Sequence, residues 1–166
     1  MVGDGNYHPT RFQRFIQRIA ASRILSVLLA RILRRVDRYV WQSTRGRTCA
    51  TTVLTGLPVA FITLTGARTG ISRTVPLVYI PHGNNLVVIA SNFGNRQHPA
   101  WYYNARANPE AIVSVPDYRG EYVVREVYSD EYRYFWDQAV SMYAGFEDYR
   151  NRAGERIIPI LMLSPK

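Results

Sequence analysis

Cysteine is almost absent from this chain, because Cys49 is the only one among 166 residues. A single cysteine excludes an intrachain disulfide framework and a cysteine-based metal cluster. The three histidines, His8, His82 and His98, are scattered without the spacing of metal ligands, so we expect no metal site. The low cysteine content also fits a reducing compartment, and we expect a cytoplasmic protein.

Long hydrophobic runs are also missing. The mostly apolar stretch from Ile24 to Ala30 is far shorter than the roughly 20 residues that a helix needs to span a bilayer. Residues Met1–Tyr7 are polar and include Asp4, so we expect no secretory signal. Apolar residues make up 47% of the chain and charged residues 20%, which is typical of one globular domain and not of a disordered chain.

Acidic residues are scarce near the N-terminus. Residues 1–47 contain ten arginines and only two acids, Asp4 and Asp37, whereas residues 48–166 carry eleven basic and ten acidic groups. We therefore divide the chain into a basic N-terminal helical arm, residues 1–47, and a nearly neutral folded domain, residues 48–166. This charge asymmetry bears on the partners of the protein more than on its fold.

The arm has the periodicity of an amphipathic helix over residues 10–41. Apolar residues recur every three or four positions: Phe12, Phe15, Ile16 and Ile19, then Leu25, Leu28, Leu29, Ile32, Val36, Tyr39 and Val40. Such a helix could lie on the surface of an anionic membrane, at its cytoplasmic face. It could equally pack on the folded domain or on a second subunit. Binding to nucleic acid is disfavoured, because no recognised nucleic-acid motif accompanies the charge.

The folded domain alternates β-prone runs with turn signals. Apolar runs predict strands at residues 59–64, 74–80, 86–91, 111–115, 121–127 and 157–163, with a further short strand at residues 50–54. Helices are predicted over residues 98–107 and from a cap at Ser129 or Asp130 to about Ala144. This pattern predicts an α+β, mainly β fold, either a small antiparallel barrel or a sandwich-like sheet, with helices outside.

The stretch from Thr63 to Leu77 is the centre of this pattern. Two β-prone runs are joined there by a loop with two glycines and two arginines, Arg68 and Arg73. The loop has neither the Gly-Lys-Ser/Thr ending of a P-loop nor a GxGxxG pattern. Its glycines allow close approach to a ligand, and its hydroxyls and guanidinium groups suit phosphate oxygens. It is therefore either an anion-binding loop or a solvated hairpin tip.

Three motifs follow one another at fixed spacing. They are Thr65-Gly-x-Arg68-Thr-Gly70-x-x-Arg73-Thr-x-Pro76-Leu77, then Val88-Ile-Ala-Ser91-Asn92, then His98-Pro-Ala-Trp101-Tyr-x-Asn104-x-x-Ala-Asn108-Pro109. Together they resemble the deazaflavin-dependent nitroreductase family, and the resemblance covers residues 57–163. It implies a split β-barrel with flanking helices, and reduced coenzyme F420, an 8-hydroxy-5-deazaflavin, as the cofactor.

The resemblance also implies where the coenzyme binds. Arg68, Thr69, Ser72 and Arg73 match positions that hold its phosphate and acidic tail; Thr74, Val75, Pro76, Leu77 and Val78 match the strand along its ring; Ile89, Ala90, Ser91 and Asn92 match the facing strand end; and Ala100 and Trp101 match the helix that covers it. By residue type alone, Trp101 could be only a core aromatic. His98 is more often a structural partner than a proton donor in such a position. Ala67 stands where many relatives have Arg or Lys.

The implied activity is hydride transfer from reduced F420 to a quinone-like or other small apolar acceptor, for example a menaquinone-like molecule. Ser91, Tyr143 and Tyr149 are the candidate catalytic residues, because their hydroxyls could donate a hydrogen bond to the acceptor oxygen. Relatives that reduce nitroimidazoles carry three tyrosines spaced three apart. Here the trio is Tyr143, Phe146 and Tyr149, so we expect weak or no nitroimidazole reduction.

Three alternatives remain open at this stage. The first is a non-catalytic F420-binding or carrier protein on the same fold. The second is an FMN-binding split-barrel oxidoreductase, which is less favoured because an arginine-rich loop suits a long anionic tail better than a single phosphate. The third is a membrane-surface or interaction protein that has lost cofactor binding.

Overall fold

The computed structural model describes Thr10, Gln13 and residues 35–166. Most of the helix predicted over residues 10–41 therefore lies outside the described residues, although residues 35–43 are helical as predicted. The other helices are α1 (Ala50–Thr55), α2 (Ala100–Ala107), α3 (Ser129–Met142) and α4 (Gly145–Ala153), together with a short 3-10 turn at Asn92–Gly94.

The strands form one closed antiparallel barrel. They are β1 (Val59–Thr65), β2 (Ser72–His82), β3 (Asn85–Ile89), β4 (Glu110–Val115), β5 (Tyr118–Glu126) and β6 (Ile160–Pro165). Their order around the barrel is β1-β2-β3-β6-β5-β4, and β4 pairs with β1 to close it. The barrel prediction is confirmed, and the sandwich alternative is not what the chain adopts.

The short strand predicted at residues 50–54 is wrong, because this segment forms helix α1. The cause is a tertiary contact from the arm. The buried carboxylate of Asp37 accepts hydrogen bonds from the Thr51 backbone N–H at 2.7 Å and from the Thr51 hydroxyl at 2.6 Å. These bonds satisfy a donor at the start of α1 that a helix leaves unpaired, and they outweigh the β propensity of the threonines and Val53.

The helix predicted to begin with a cap at Ser129 or Asp130 is present as α3, but neither residue caps it. Tyr128 occupies the capping position, and its side chain makes no capping hydrogen bond. Asp130 and Glu131 instead lie in the first turn, where their negative charge interacts favourably with the helix dipole. The helix ends at Met142, two residues before the predicted end.

The core has two main parts, separated by the barrel wall. Alternate residues of each strand point inward, among them Ile62, Tyr79, Val113 and Tyr122, and fill the barrel interior. The outward-facing residues of β3 and β6 pack instead against α3 and α4. The β3 residues 86–89 are all buried, because the barrel interior covers one face of this strand and the helices cover the other.

The last part of the arm packs on the barrel. The Trp41 ring stacks on Phe61 of β1 with ring centroids 4.3 Å apart, beside the buried Cys49. By contrast, Val36 and Tyr39, which belong to the predicted apolar stripe, are 39% and 73% exposed. The helical segment at residues 35–43 therefore does not pack on the barrel through the apolar stripe that the periodicity predicted. The division of the chain at residues 47/48 stays a prediction.

The described part of the chain contains neither a membrane-spanning helix nor a cluster of metal ligands. None of its helices is both long and apolar enough to cross a membrane. It also contains no group of three or more His, Cys, Asp or Glu side chains that could hold a metal ion.

Candidate functional site

The main feature of the site is a gap between β2 and β3. The ladder between these strands ends at the pair Tyr79–Val88. Beyond this pair, residues 72–78 of β2 pair with β1 along one edge, and no described strand pairs with their other edge. If the antiparallel ladder continued, Leu77 would face Ala90 and Pro76 would face Ser91. Instead the two strands separate, and the position of Pro76 fits this open edge, since proline cannot donate to a ladder.

The two edges of this gap are the two strand segments predicted to contact the coenzyme. Residues 74–78 form one edge, and residues 89–92 form the other. Because successive side chains of a strand alternate between faces, the five residues of the first edge do not share one surface. Leu77 packs against the barrel interior, whereas Val78 packs on the outer face with Val59 and Phe61.

The loop at one end of the gap, residues 66–71 between β1 and β2, is positively charged together with the first residues of β2, and we call it the tail loop. Arg68, Thr69, Ser72 and Arg73 are all exposed. Among the described residues, no carboxylate forms an ion pair with Arg68 or Arg73. Exposed guanidinium groups without a partner, next to hydroxyls, are the donor set that a phosphodiester and carboxylates require. The residues present therefore fit the anionic tail of the coenzyme.

Helix α2 holds this loop in place. The Asn104 side-chain oxygen accepts a hydrogen bond from the backbone N–H of Ala67 at 3.0 Å. One turn later, the Asn108 amide donates to the carbonyl of Thr65 at 3.3 Å. The sequence motif contains both asparagines, but sequence reasoning gave them no role. Asn104 lies in α2 and Asn108 directly follows its last residue, so the spacing of four residues in the sequence was a signal that both could face the same segment.

The other edge of the gap ends in a turn with an unusual backbone. Asn92, Phe93 and Gly94 have φ values of 47°, 56° and 76°, so three successive residues adopt the left-handed conformation. Asparagine and glycine tolerate this conformation, but Phe93 adopts it only at a cost in free energy. The Asn92 amide stabilises the turn by donating to the carbonyl of Gln97 at 2.9 Å.

Arg156 joins this turn to the start of α2. Its guanidinium donates to the carbonyls of Asn95 at 2.8 Å, Ser91 at 2.7 Å and Ala90 at 3.3 Å. It also lies 3.1 Å from Nδ1 of His98, two residues before α2. Sequence reasoning missed Arg156, because it lies 58 residues after His98 and belongs to none of the three motifs.

The surroundings of His98 favour its neutral form by lowering its pKa. Burial lowers the pKa of the imidazole, and the positive charge of Arg156 lowers it further. With Nδ1 accepting from Arg156, the ring proton of the neutral form is placed on Nε2. The contacts therefore favour a structural role for His98 over a role as proton donor.

The three aromatic residues predicted on the substrate side form one buried cluster. Tyr143, Phe146 and Tyr149 are 7%, 6% and 5% exposed, and the hydroxyls of the two tyrosines lie 3.3 Å apart. Burial raises the pKa of both tyrosines. Phe93 contacts the Tyr149 ring edge-on at 5.8 Å, so the cluster lies behind the left-handed turn.

An open depression of about 200 Å³ lies elsewhere, on the outer face where β1 meets β4. Ser72 is part of its wall, but so are Glu110 and Glu121, whose carboxylates lie near the Lys166 ammonium. Two carboxylates oppose the binding of an anionic tail. The charge distribution therefore favours the side of the loop that carries Arg68 and Arg73.

The structure brings most of the predicted coenzyme-binding residues to one region. The tail loop, the two edges of the gap and the start of α2 are linked by the bonds of Asn104, Asn108 and Arg156. Trp101 is half-buried and packs against the barrel interior, as Leu77 does. Ser91 is half-buried at the edge of the gap, and its hydroxyl has no hydrogen-bond partner among the described residues. Tyr143 and Tyr149 stand apart from this region, behind Phe93.

Comparison with known proteins identifies the family. A family model described as F420H(2)-dependent quinone reductase matches residues 33–165. The chain belongs to the F420H(2)-dependent quinone reductase family. The match begins in the predicted arm, at the helical segment that packs on the barrel. The members of this family are oxidoreductases, and coenzyme F420 is their cofactor.

Individual relatives agree with this assignment. A Mycobacterium tuberculosis protein provisionally named an F420H(2)-dependent quinone reductase is 30% identical over 110 residues, which cover 66% of this chain and 92% of the relative. A second protein of that organism, named an F420H(2)-dependent quinone reductase, is 29% identical over 110 residues, covering 64% of this chain and 73% of the relative.

Solved structures support the fold. A structure titled as an F420-H2 dependent reductase has a TM-score of 0.60 at 31% identity, covering 64% of this chain and 94% of that one. A second chain, described as a domain-swapped dimer, has a TM-score of 0.62 at 28% identity, covering 76% of this chain and 98% of that one. The split β-barrel predicted from the resemblance is thereby confirmed.

Proposed function

We propose that this protein reduces a menaquinone-like quinone, with reduced coenzyme F420 as the hydride donor. The observation that carries the proposal is the gap between β2 and β3, whose edges are residues 74–78 and 89–92. Membership of the quinone reductase family supports the same reaction. The reduced deazaflavin supplies a hydride when it is bound, and solvent supplies the proton that completes the quinol.

The residues of the chain bind and orient the reactants. We propose that Arg68 and Arg73 hold the anionic tail through charge-assisted hydrogen bonds. The two edges of the gap would then fix the plane of the ring, and Trp101 would exclude water from the end of the gap next to α2. Correct placement of hydride donor and acceptor accounts for a large part of the rate enhancement in such a reaction.

Ser91 is our first candidate for contact with the acceptor. Its hydroxyl lies at the edge of the gap without a protein partner among the described residues, so it can donate a hydrogen bond to a quinone oxygen that becomes negative during hydride transfer. Tyr143 and Tyr149 stay predictions for the same role. They are buried and bonded to one another, and burial raises the pKa of each hydroxyl, so both remain neutral at physiological pH.

The test combines binding with turnover. Coenzyme F420 is titrated into the purified protein with tryptophan fluorescence as the readout, and FMN is titrated in parallel. Oxidation of reduced F420 is then followed at saturating menaquinone analogue. We expect F420 to bind more tightly than FMN and to be oxidised only when quinone is present. Binding without turnover would identify a carrier protein, and tighter binding of FMN would overturn the choice of coenzyme.

We also propose that the arm contacts an anionic membrane through residues 10–41, which would bring the site close to a membrane-resident quinone. The described end of the arm supports this, because Val36 and Tyr39 are exposed next to the exposed Arg35 and Arg38. An apolar surface bordered by arginine is typical of a helix that lies in a membrane interface.

A further inference from the structure

The left-handed turn at Asn92–Gly94 needs a physical explanation, because a backbone conformation of this kind is stable only when surrounding contacts enforce it. Phe93 gains little from its own position, since its ring is exposed on one side and contacts Tyr149 on the other. The bond of Asn92 to the Gln97 carbonyl fixes one side of the turn. The contacts that fix its two ends come from Arg156.

The guanidinium of Arg156 binds the chain on both sides of the turn. It donates to Ala90 and Ser91, which precede the turn, and to Asn95, which follows it. Three carbonyls from one short segment converge on one planar group. Only a rigid fork with several donors bonds to such a set at once, so a lysine ammonium is a poor substitute.

The same guanidinium reaches the segment that precedes α2. Its Nη1 lies 3.1 Å from Nδ1 of His98, and the ring of His98 packs against Tyr102 of α2 with centroids 4.8 Å apart. Helix α2 is itself bonded to the tail loop through Asn104. Arg156 is therefore the contact that connects one edge of the gap to the helix that carries Trp101.

We propose that Arg156 is a positioning residue that holds the left-handed turn and the start of α2 at one fixed spacing, so that the Ser91 edge of the site is formed before the coenzyme binds. The proposal rests on the function proposed above. The Arg156 guanidinium hydrogen-bonds to backbone carbonyls and to His98, and it also interacts electrostatically with Tyr103, so it acts through these groups and not on the reactants.

Two variants test the guanidinium. Arg156→Met keeps the aliphatic stem and removes charge and donors, whereas Arg156→Lys keeps the charge but not the fork. We expect both to lower kcat/KM for quinone reduction by on the order of tenfold to hundredfold and to weaken F420 binding, as expected when a site loses its preformed geometry. Arg133→Met is the control, because Arg133 is highly exposed on α3 and, within the described part of the chain, forms its ion pair with Asp130 alone. Either Arg156 variant with wild-type kcat/KM and F420 affinity overturns the proposal.

The imidazole of His98 gives a readout that does not depend on activity. The groups that face it are Arg156, Arg106 and Glu126, with Tyr102 and Tyr103 of α2. In wild-type protein, NMR of the ring nitrogens is expected to show a neutral imidazole protonated at Nε2 with a pKa below the ordinary histidine value. The pKa should rise in Arg156→Met and rise less in Arg156→Lys. If the pKa of His98 in wild-type protein has the ordinary histidine value, the contact between Arg156 and His98 is wrong.

Hydrogen exchange of the wild-type protein covers the case in which both variants fail to fold. The Gly94 and Asn95 amides donate to the carbonyls of Ser91 and Asn92. If Arg156 forms the turn in advance, these amides are protected without coenzyme, and exchange at the unprotected rate would overturn the proposal. Should wild-type protein bind no F420, the proposed function fails, but the His98 pKa and the exchange data still decide whether Arg156 holds the turn.

Discussion

At the scale of single residues, Arg73 and Arg96 form a matched pair for testing where the coenzyme tail lies. Both are exposed, and neither has an ion-pair partner among the described residues, but Arg73 follows the tail loop and Arg96 lies in the turn after β3. We predict that Arg73→Ala weakens F420 binding by about ten- to hundredfold, because a charge-assisted contact contributes roughly 1.5–3 kcal/mol. Arg96→Ala should change the Kd little. Fluorescence titration measures both, and equal Kd values would refute this placement of the tail.

A second prediction at this scale concerns Gly94. Its φ is +76°, and an added Cβ would lie 2.6 Å from the carbonyl oxygen of Tyr149 and 2.7 Å from Cβ of Arg152 on α4. Gly94→Ala should therefore lower the free energy of unfolding by about 2 kcal/mol or more, because left-handed strain adds to a steric clash that a helix cannot relieve easily.

Gly83→Ala is the control for this change, since its φ is +57° but an added Cβ would meet nothing within 4 Å. It should cost only the strain, about 1 kcal/mol. Urea denaturation gives the free energy of unfolding of both variants, and the difference between them is the cost of the clash at Gly94. If the two variants are equally stable, the close packing of the turn on α4 is wrong.

At the scale of the elements, α4 carries Phe146, the residue at which we expect this chain to differ from nitroimidazole-reducing relatives. The Phe146 ring packs edge-on against Tyr143 and Tyr149, with centroids 5.5 Å and 5.9 Å away. A hydroxyl added at this position would belong to the same buried aromatic cluster as the hydroxyls of Tyr143 and Tyr149. The helix therefore offers a way to change acceptor choice without touching the coenzyme loop.

We predict that the wild-type protein reduces a menaquinone analogue much faster than a nitroimidazole, and that Phe146→Tyr raises nitroimidazole turnover while F420 affinity stays the same. The physical reason is the additional donor for a developing negative charge. Steady-state rates with both acceptors check this. A wild-type nitroimidazole rate comparable with its quinone rate would contradict the assignment of specificity to this cluster.

At the scale of the whole molecule, the arm divides into two parts with different roles. Residues 35–47 bind the folded domain through Asp37, which bonds to α1, and through Trp41, which stacks on β1, whereas six of the ten arginines of the arm precede residue 35 in the sequence. We predict that deletion of residues 1–34 abolishes sedimentation with anionic vesicles but leaves F420 binding intact. Each arginine near such a surface contributes about 1 kcal/mol, and salt screens this attraction over roughly 8 Å.

Vesicle sedimentation at rising salt measures this, with neutral vesicles as the control for lipid charge. If the full-length protein does not sediment with anionic vesicles at low salt, the membrane proposal is wrong. Deletion of residues 1–47 should behave differently from the shorter deletion and destabilise the barrel. It leaves the Thr51 donor without its buried acceptor and uncovers the Phe61 ring.

The sequence by itself determined where the main strands lie, and its three motifs carried the resemblance to the family. Alternating apolar residues between turn signals identified the six strands, because a side-chain period of two is a local property. The loop with Arg68 and Arg73, and the motif around Ser91, carry the resemblance to the deazaflavin-dependent nitroreductase family, and it was this resemblance that implied the coenzyme and the split barrel. The strand predicted at residues 50–54 was wrong, because the Asp37 carboxylate, 14 residues before Thr51, stabilises a helix there instead.

Only the tertiary structure decided how the parts of the site are held together. The gap between β2 and β3 depends on where a ladder stops, and the two strands of that ladder separate beyond Tyr79 and Val88. The bond between Arg156 and His98 crosses 58 positions. Neither leaves a periodic or compositional signal, because hydrogen bonds between distant segments are set by the closure of the barrel and not by neighbours along the chain.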